Sequence, residues 1–331
     1  MRFSPERRAS APISCGIFRC PRITSDGDAL PNLTLPPPSK SLSARPRYSE
    51  IAEPWNRSWL HCARGDTATF LWIAGMHVVA AAAFIVFPLT GISLWPGWPL
   101  MLTALGLTVL GGLGTTIGYH RALAHGAVKL NPVVEQVLIF FAMLNGSGTP
   151  LTWVPNHRLH HATSDTEEDI SSPTQGGFFW AHLRWLWQAG QAPVGRYSPD
   201  LDRPIYRFWS RMQIPMLALS LTGGLVFGLS AWLWLGPLRL LWALHAQCTI
   251  NSVCHLGNPR ARGGSSKNVW WLAPFHFFQG ENWHHHHHDE PTDPRLGQRI
   301  AELDLGWWSI VVLKWCRLAS KVRRPRAAAG R

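Results

Sequence analysis

GENWHHHHHDE, Gly280 to Glu290, holds five consecutive histidines about forty residues inside the chain. On a helix of 3.6 residues per turn, side chains three and four positions apart share a face. His284, His287 and His288 then present one face with an HxxHH spacing. His285 and His286 point elsewhere, about 100° and 200° round the helix. The run reads as a three-ligand motif with two incidental members, not as a loose metal-binding tract.

The same spacing recurs in NHRLHH, Asn156 to His161, where His157, His160 and His161 are expected to converge. A third cluster, HRALAH, places His120 and His125 five residues apart. That is about 140° round a helix. These two need not bind the same ion; they reach two ions lying side by side or bridge a frayed helix end. Eight imidazoles exceed the ligand set of one four-coordinate zinc and suit two metal ions. Imidazole serves iron, zinc, copper and nickel alike, so ligand type does not name the metal. Carboxylates crowd the clusters: Asp165, Glu167, Glu168 and Asp169 follow the second, Glu281 precedes the third and Asp289 follows it. Metal-bound histidines usually donate their free N–H to such groups. Asp165, Asp169 and Glu281 are the candidates for that supporting role, with a solvated surface charge as the plain alternative for each.

The surroundings of the clusters are apolar. Of 331 residues, 46% are hydrophobic and only 15% charged, and 19 are tryptophan. Soluble domains carry about 25% charged residues. The net charge of +12 fits nucleic acid or a membrane surface; the long apolar runs decide for membrane, with no nucleic-acid partner. Four spans are expected, at about 69–87, 100–117, 214–229 and 238–250. The last two are short enough to be one helical hairpin. Gly114 and Gly118 form a GxxxG, read as close helix packing. The connections 88–99 and 230–237 carry no charge, whereas Arg57, Arg64, Arg121, Arg158, Arg203, Arg207, Arg211, Arg260, Arg262 and Lys267 lie on the other side. Both termini, the long 118–212 connection and all three histidine clusters are therefore expected to face the cytoplasm. LDLGWWSIVVLKWCRL reads as an interfacial helix. It runs into a basic tail, 323–331, suited to anionic lipid.

Residues 1–60, rich in Pro, Ser and Arg, read as a disordered basic leader without the apolar stretch of a secretory signal. The membrane domain is then 61–322. The six cysteines are scattered without a CxxC, which excludes a zinc ribbon and leaves them mostly inert. Cys254, beside His255, is the one exception worth following.

HRALAH, NHRLHH and GENWHHHHH, in this order and spacing, resemble the three histidine boxes of the membrane fatty-acid desaturases. The likeness is nearest to the stearoyl-CoA (delta-9) branch. DTEEDISSPTQGGFFWAHLRWL after the second box and ELDLGWW near the C-terminus resemble segments of the same branch. The resemblance covers about Phe70 to Val322. It implies an all-α integral membrane protein of four transmembrane helices, with a cytoplasmic helical cap holding a histidine-ligated di-metal site. It implies two iron ions, O2 as co-substrate, and insertion of a cis double bond into a saturated acyl chain. In the segment Asn251-Ser-Val-Cys-His255 it implies that His255 is a ninth ligand and that Asn251 holds a metal-bound water. Spacing alone leaves His255 a plain helix-end residue. His61, His77, His182, His245 and His276 match no ligand position and read as structural. Trp153 and His182 are candidates for the wall of an acyl tunnel, a core aromatic being the bland reading of the former.

Acyl-CoA members of the branch often carry basic residues where this chain has Pro155 and Ala189-Gly190. The carrier is thus CoA, a lipid or another group. No HPGG haem segment is present, so electrons come from a separate donor of the ferredoxin or cytochrome b5 type. Two other readings stand beside this one. A hydroxylase or ketolase of the same superfamily differs only in the fate of the substrate radical. A divalent-metal transporter would place ionisable ligands within the spans, where this sequence has few.

Overall fold

A computed structural model describes residues 54–63, 66–257 and 264–323. The architecture is helical. α1, Thr67–Leu89, is apolar apart from two threonines and His77, and about 35 Å long at 1.5 Å per residue. α2, Trp98–Leu113, starts after Gly97 in a left-handed conformation (φ 93°). It runs without a break into a π-helical stretch, Gly114–Ala124. These two are long and apolar enough to cross a membrane, and they expose Leu71, Val78, Ile85 and Leu102. So large an apolar surface is foreign to a soluble protein. The chain is membrane-associated on this ground.

The two-residue strand β1, Lys129–Leu130, precedes α3, Pro132–Leu144. Asn131 caps α3 by accepting from the Val133 N–H. α3 crosses the π-helical stretch where it has glycines. A Cβ on Gly114 would sit 2.4 Å from the Leu138 carbonyl, and one on Gly118 3.1 Å from Leu138 Cβ. The GxxxG is thus a packing device within the chain.

A reciprocal Thr149–Thr152 cap starts α4, Pro150–Thr163, the carrier of the second histidine cluster. The segment beyond it contains α5 (Pro173–Phe179), a π turn (Trp180–Arg184), α6 (Trp185–Gln188), α7 (Val194–Tyr197) and α8 (Pro204–Arg211). Residues 1–53 of the expected leader lie outside the described residues. Its last part, 54–60, packs on this segment: Trp55 meets Trp180 edge-on, and Arg184 donates to the carbonyls of Trp55 and Arg57.

α9, Gln213–Thr222, continues as a 3-10 turn to Phe227. Here the sequence reading is corrected. The reversal is at Gly228 (φ 96°), and the supposed connection 230–237 is helical. α10 (Leu229–Leu233), a π turn (Trp234–Leu238) and α11 (Arg239–Cys254) follow one another without a gap. The π turn absorbs Pro237, which lacks the N–H an α-helix interior requires. Trp234 donates to the Leu94 carbonyl, so this reversal and the α1–α2 connection meet at one end of the molecule. Arg239 is buried and tied to the carbonyls of Leu144 and Leu235, the Asn145 amide oxygen and Ser220. It holds the end of α3 against α9 and α11.

The chain closes with α12, His284–Asp289, α13, Leu305–Trp315, and β2, Ala319–Ser320, which pairs antiparallel with β1. This small ladder is the one strand pair among the described residues. α13 packs Ile310 into an apolar cluster with Ile117, Val128 and Leu130, leaving Trp308, Val312 and Trp315 exposed.

Candidate metal centre

The π-helical stretch, α4, α11 and α12 bring nine histidines together in two groups. His120, His125, His157, His161 and His287 form the first; His160, His255, His284 and His288 form the second. Within each group one nitrogen from every ring lies within 4.8 Å of all the others. The groups adjoin: His161 and His288, one from each, stack at 4.4 Å.

One expectation is corrected. The HxxHH triplets do not converge on one point; each straddles both groups. On α4 the i,i+4 pair His157 and His161 enters the first group and His160 the second. On α12 the pair His284 and His288 enters the second group and His287 the first. A helix lying between two points serves one with its i,i+4 pair and the other with the residue between. His120 and His125, whose spacing left their arrangement open, share a group. The His125 N–H donates to the His120 carbonyl, an i→i+5 bond, and this wider winding brings residues five apart onto one side.

Carboxylates orient three of the rings. Glu281 lies 2.9 Å from His120 Nδ1, Asp169 2.9 Å from His160 Nδ1, and Asp165 3.4 Å from His255 Nδ1. An Nδ1–H given to a carboxylate leaves the Nε2 lone pair facing inward. The carboxylates are themselves held. Glu281 accepts from Thr116 and lies 3.7 Å from Arg121. Asp165 adopts a left-handed backbone (φ 61°) and accepts from Ser172 and from both donors of Ser265. Asp169 accepts from the Asp165 N–H and from Ser171. Glu167 and Glu168, from the same stretch, turn outward and are exposed.

The donor set fits metal ions. Burial, reinforced by neighbouring imidazoles, holds His157, His161, His284, His287 and His288 well below the ordinary histidine range. For His160 burial pulls the same way, but Asp169 and Asp165 outweigh it and raise the pKa. His120 and His161 each face His287, Nε2 to Nε2, at 2.9 Å; His125 faces His157 at 2.8 Å and His255 faces His284 at 2.9 Å. Imidazole nitrogens this close need a cation or a proton between them. His160 Nε2 is buried with no hydrogen-bond partner, and it too points into a group.

The remaining expectations divide. His285 and His286 stand apart, about a quarter exposed, beside Asp289 and Glu302. Trp153 stacks on His157 at 4.7 Å and meets Tyr119, beside the first group. Asn251 lies half-buried on α11, one turn before His255. His182 joins neither group. Cys254 is buried against Val269 and Leu272; it is an inert core residue.

Two arginines that the sequence reading took only as topology-setting charges have a structural role at the site. Arg158 is buried and gives five hydrogen bonds, to the carbonyls of Leu123, Ala124 and Tyr197 and to both Asp200 oxygens. It ties the end of the π-helical stretch to α4. Arg121 is buried too and bonds Asp304 and the carbonyls of Gln279 and Pro294, joining the first cluster to the third. Each directly follows a box histidine in an apolar stretch, and that position was the available signal.

Two adjoining groups of buried, inward-facing imidazoles in a helical, membrane-associated chain define a metal-binding protein. The chain belongs to the fatty acid desaturase family, whose sequence model matches residues 93–299. It is 34% identical over 236 residues to delta-9 acyl-lipid desaturase 1 of Arabidopsis thaliana, covering 69% of this chain and 76% of that protein. It is 32% identical to sn-1 stearoyl-lipid 9-desaturase of Anabaena variabilis, covering 76% and 92%, and 30% identical to acyl-CoA 5-desaturase AL21 of Anemone leveillei, covering 87% of each. The chain is thus an oxidoreductase of lipid metabolism that desaturates fatty acyl chains.

Proposed function

We propose that this desaturase places a cis double bond at the delta-9 position of a saturated acyl chain carried on a membrane lipid. The nine histidines would hold two iron ions, one per group, with Asn251 holding a metal-bound water. The division of the histidines into two adjoining groups carries this reading, since a two-ion centre needs that arrangement. The lipid carrier is supported by two relatives named for acyl-lipid substrates. It is supported also by Pro155 and Ala189-Gly190, uncharged where acyl-CoA members often carry basic residues. AL21 is named for an acyl-CoA substrate, so the carrier is part of the test.

When bound, the iron pair supplies reductive activation of O2, chemistry no side chain offers. Asp165, Asp169 and Glu281 fix the rings so that lone pairs face inward. Arg121 and Arg158 hold the elements bearing the three clusters at one separation. Trp153, flat against His157, would form part of the acyl-chain wall and exclude water. Electrons would come from a separate ferredoxin or cytochrome b5 type donor.

Around this centre we infer four spans: α1, α2 with its π-helical stretch, α9 with its 3-10 turn, and the run from α10 through α11. The centre would form a cytoplasmic cap, with both termini on that side. The charge-free connections meeting at the opposite end support this topology. The position of the nine grouped histidines at helix ends, away from the middle of the spans, speaks against a transporter.

The test is the acyl-chain profile of a host expressing the protein, with double bonds located by mass spectrometry. A new delta-9 mono-unsaturated chain in the lipid fraction, absent with His160→Ala, supports the reading. A hydroxy or keto chain moves the protein to the oxygenating branch of the superfamily. Product formed from acyl-CoA alone overturns the lipid carrier.

A further inference from the structure

α13 is apolar on two opposite faces, and the protein covers one of them. Ile310 and Leu313 pack with Ile117, Val128 and Leu130. Trp308, Val311, Val312 and Trp315, spaced i, i+3, i+4 and i+7, share the opposite face. They are between 44% and 84% exposed. A helix that is apolar all round belongs in apolar surroundings on every side. The open face is also fixed in place. Asp304 caps α13 by accepting from the Trp307 N–H, and it accepts from Arg121 as well.

Two observations say what covers this face. The first is height. Trp95 and Trp98 are exposed where α2 begins. Ile117 stands about 28 Å further along the same unbroken helix, at 1.5 Å per residue. The hydrocarbon core of a bilayer is about 30 Å thick. The helix that packs on Ile117 therefore lies at the opposite boundary from Trp98, and Trp308 and Trp315 stand where interfacial aromatic residues gather. The second observation is charge. Residues 305–323 hold four basic residues and no acidic one. Lys314, Arg317 and Lys321 are exposed, with Lys314 on the flank between the covered face and the open one.

We propose that α13, with the strand that follows it, binds an anionic lipid surface. The Trp308–Val311–Val312–Trp315 face enters the boundary between headgroups and acyl chains, and Lys314, Arg317 and Lys321 pair with lipid phosphates. Because Asp304 also holds Arg121, next to His120, this contact sets the height of the first histidine group over the bilayer. The inference rests on the proposed reading of α2 as a span; it is independent of the reaction and of the acyl carrier.

The test uses the full-length, iron-loaded protein in nanodiscs of phosphatidylcholine and phosphatidylglycerol. Cys15, Cys20, Cys62 and Cys316 are replaced by serine. A spin label is then attached at Val312→Cys or, as a reference half-way along α2, at Leu110→Cys. Relaxation by oxygen, which enters lipid, is compared with relaxation by a nickel chelate, which stays in water. Both labels should respond to oxygen over nickel, with Leu110 deep and Val312 about 5–10 Å inside the headgroup boundary. Val312 open to nickel while Leu110 is shielded from it overturns the docking and leaves the span intact; Leu110 open to nickel overturns both. A Val312 label shielded from oxygen and nickel alike, as under a second protein chain, also overturns the docking. The second measurement is native mass spectrometry of the protein released from the same nanodiscs. Phosphatidylglycerol should be retained over phosphatidylcholine. Lys314→Gln, Arg317→Gln and Lys321→Gln together should lower that preference at least tenfold, since each basic residue near an anionic surface is worth about fivefold. Equal retention of the two lipids, or a preference unchanged in the triple variant, overturns the anionic surface.

Discussion

His120 and His125, five residues apart, lie in one ligand group with their ring centroids 5.0 Å apart. An α-helix would turn them about 140° from each other; the π-helical winding from Gly114 to Ala124 removes that divergence. The winding occurs where α3 presses on the glycines of α2's continuation. Gly114→Ala would drive a Cβ into the Leu138 backbone carbonyl, which cannot step aside. The expected cost is about 1–3 kcal/mol, typical of overpacking. Gly118→Ala meets only the Leu138 side chain and should cost less. Thermal unfolding of both variants in detergent checks the order; equal melting temperatures would refute the close crossing.

Membership of a group, not of the histidine run, decides which ring matters. His160→Ala should abolish desaturation, since its Nε2 points into the second group. His286→Ala should leave most of it, because that ring is directed to Asn268 and Glu302. Product formation by the two variants at equal expression is the measurement. Equal losses would show that the run acts as a whole.

Arg158 positions His125 relative to His157 through five hydrogen bonds in a fixed fork, which an ammonium cannot reproduce. Arg158→Lys should therefore keep the fold and lose metal from the first group. Circular dichroism together with metal analysis separates these effects. A variant with full metal content would leave Arg158 a merely structural clamp.

Removing an outer carboxylate should weaken metal binding without removing a ligand. Asp169→Ala frees the His160 ring and takes the acceptor from the Asp165 N–H. Metal affinity should fall about 10–100-fold, as read by competition with a chelator. Unchanged affinity would make Asp169 a turn-former only.

The gathering of the box histidines was legible in the sequence, because histidines at helical spacing stand out in an apolar chain. Their partition was not. A period of 3.6 places His157, His160 and His161 on one broad face, but it does not say that two groups of histidines flank that face. The π-helical register around His120 was invisible for a related reason: Gly114 and Gly118 reveal it only once α3 is known to cross there. His255 became a candidate through resemblance alone, since its partner Asp165 lies 90 residues away. The reversal at Gly228 was missed because charge-free segments look alike whether helical or looped. The contacts among His77, His245 and His182 join three distant segments, none with a spacing signal of its own.

The most direct test of the whole account is the number of metal ions per chain in purified, iron-loaded protein. The division into groups predicts two in the unsubstituted enzyme. It predicts one in His125→Ala, with the second group still loaded, and one in His255→Ala, with the first still loaded. One ion in the unsubstituted enzyme, or two in His255→Ala, would contradict the two-group centre.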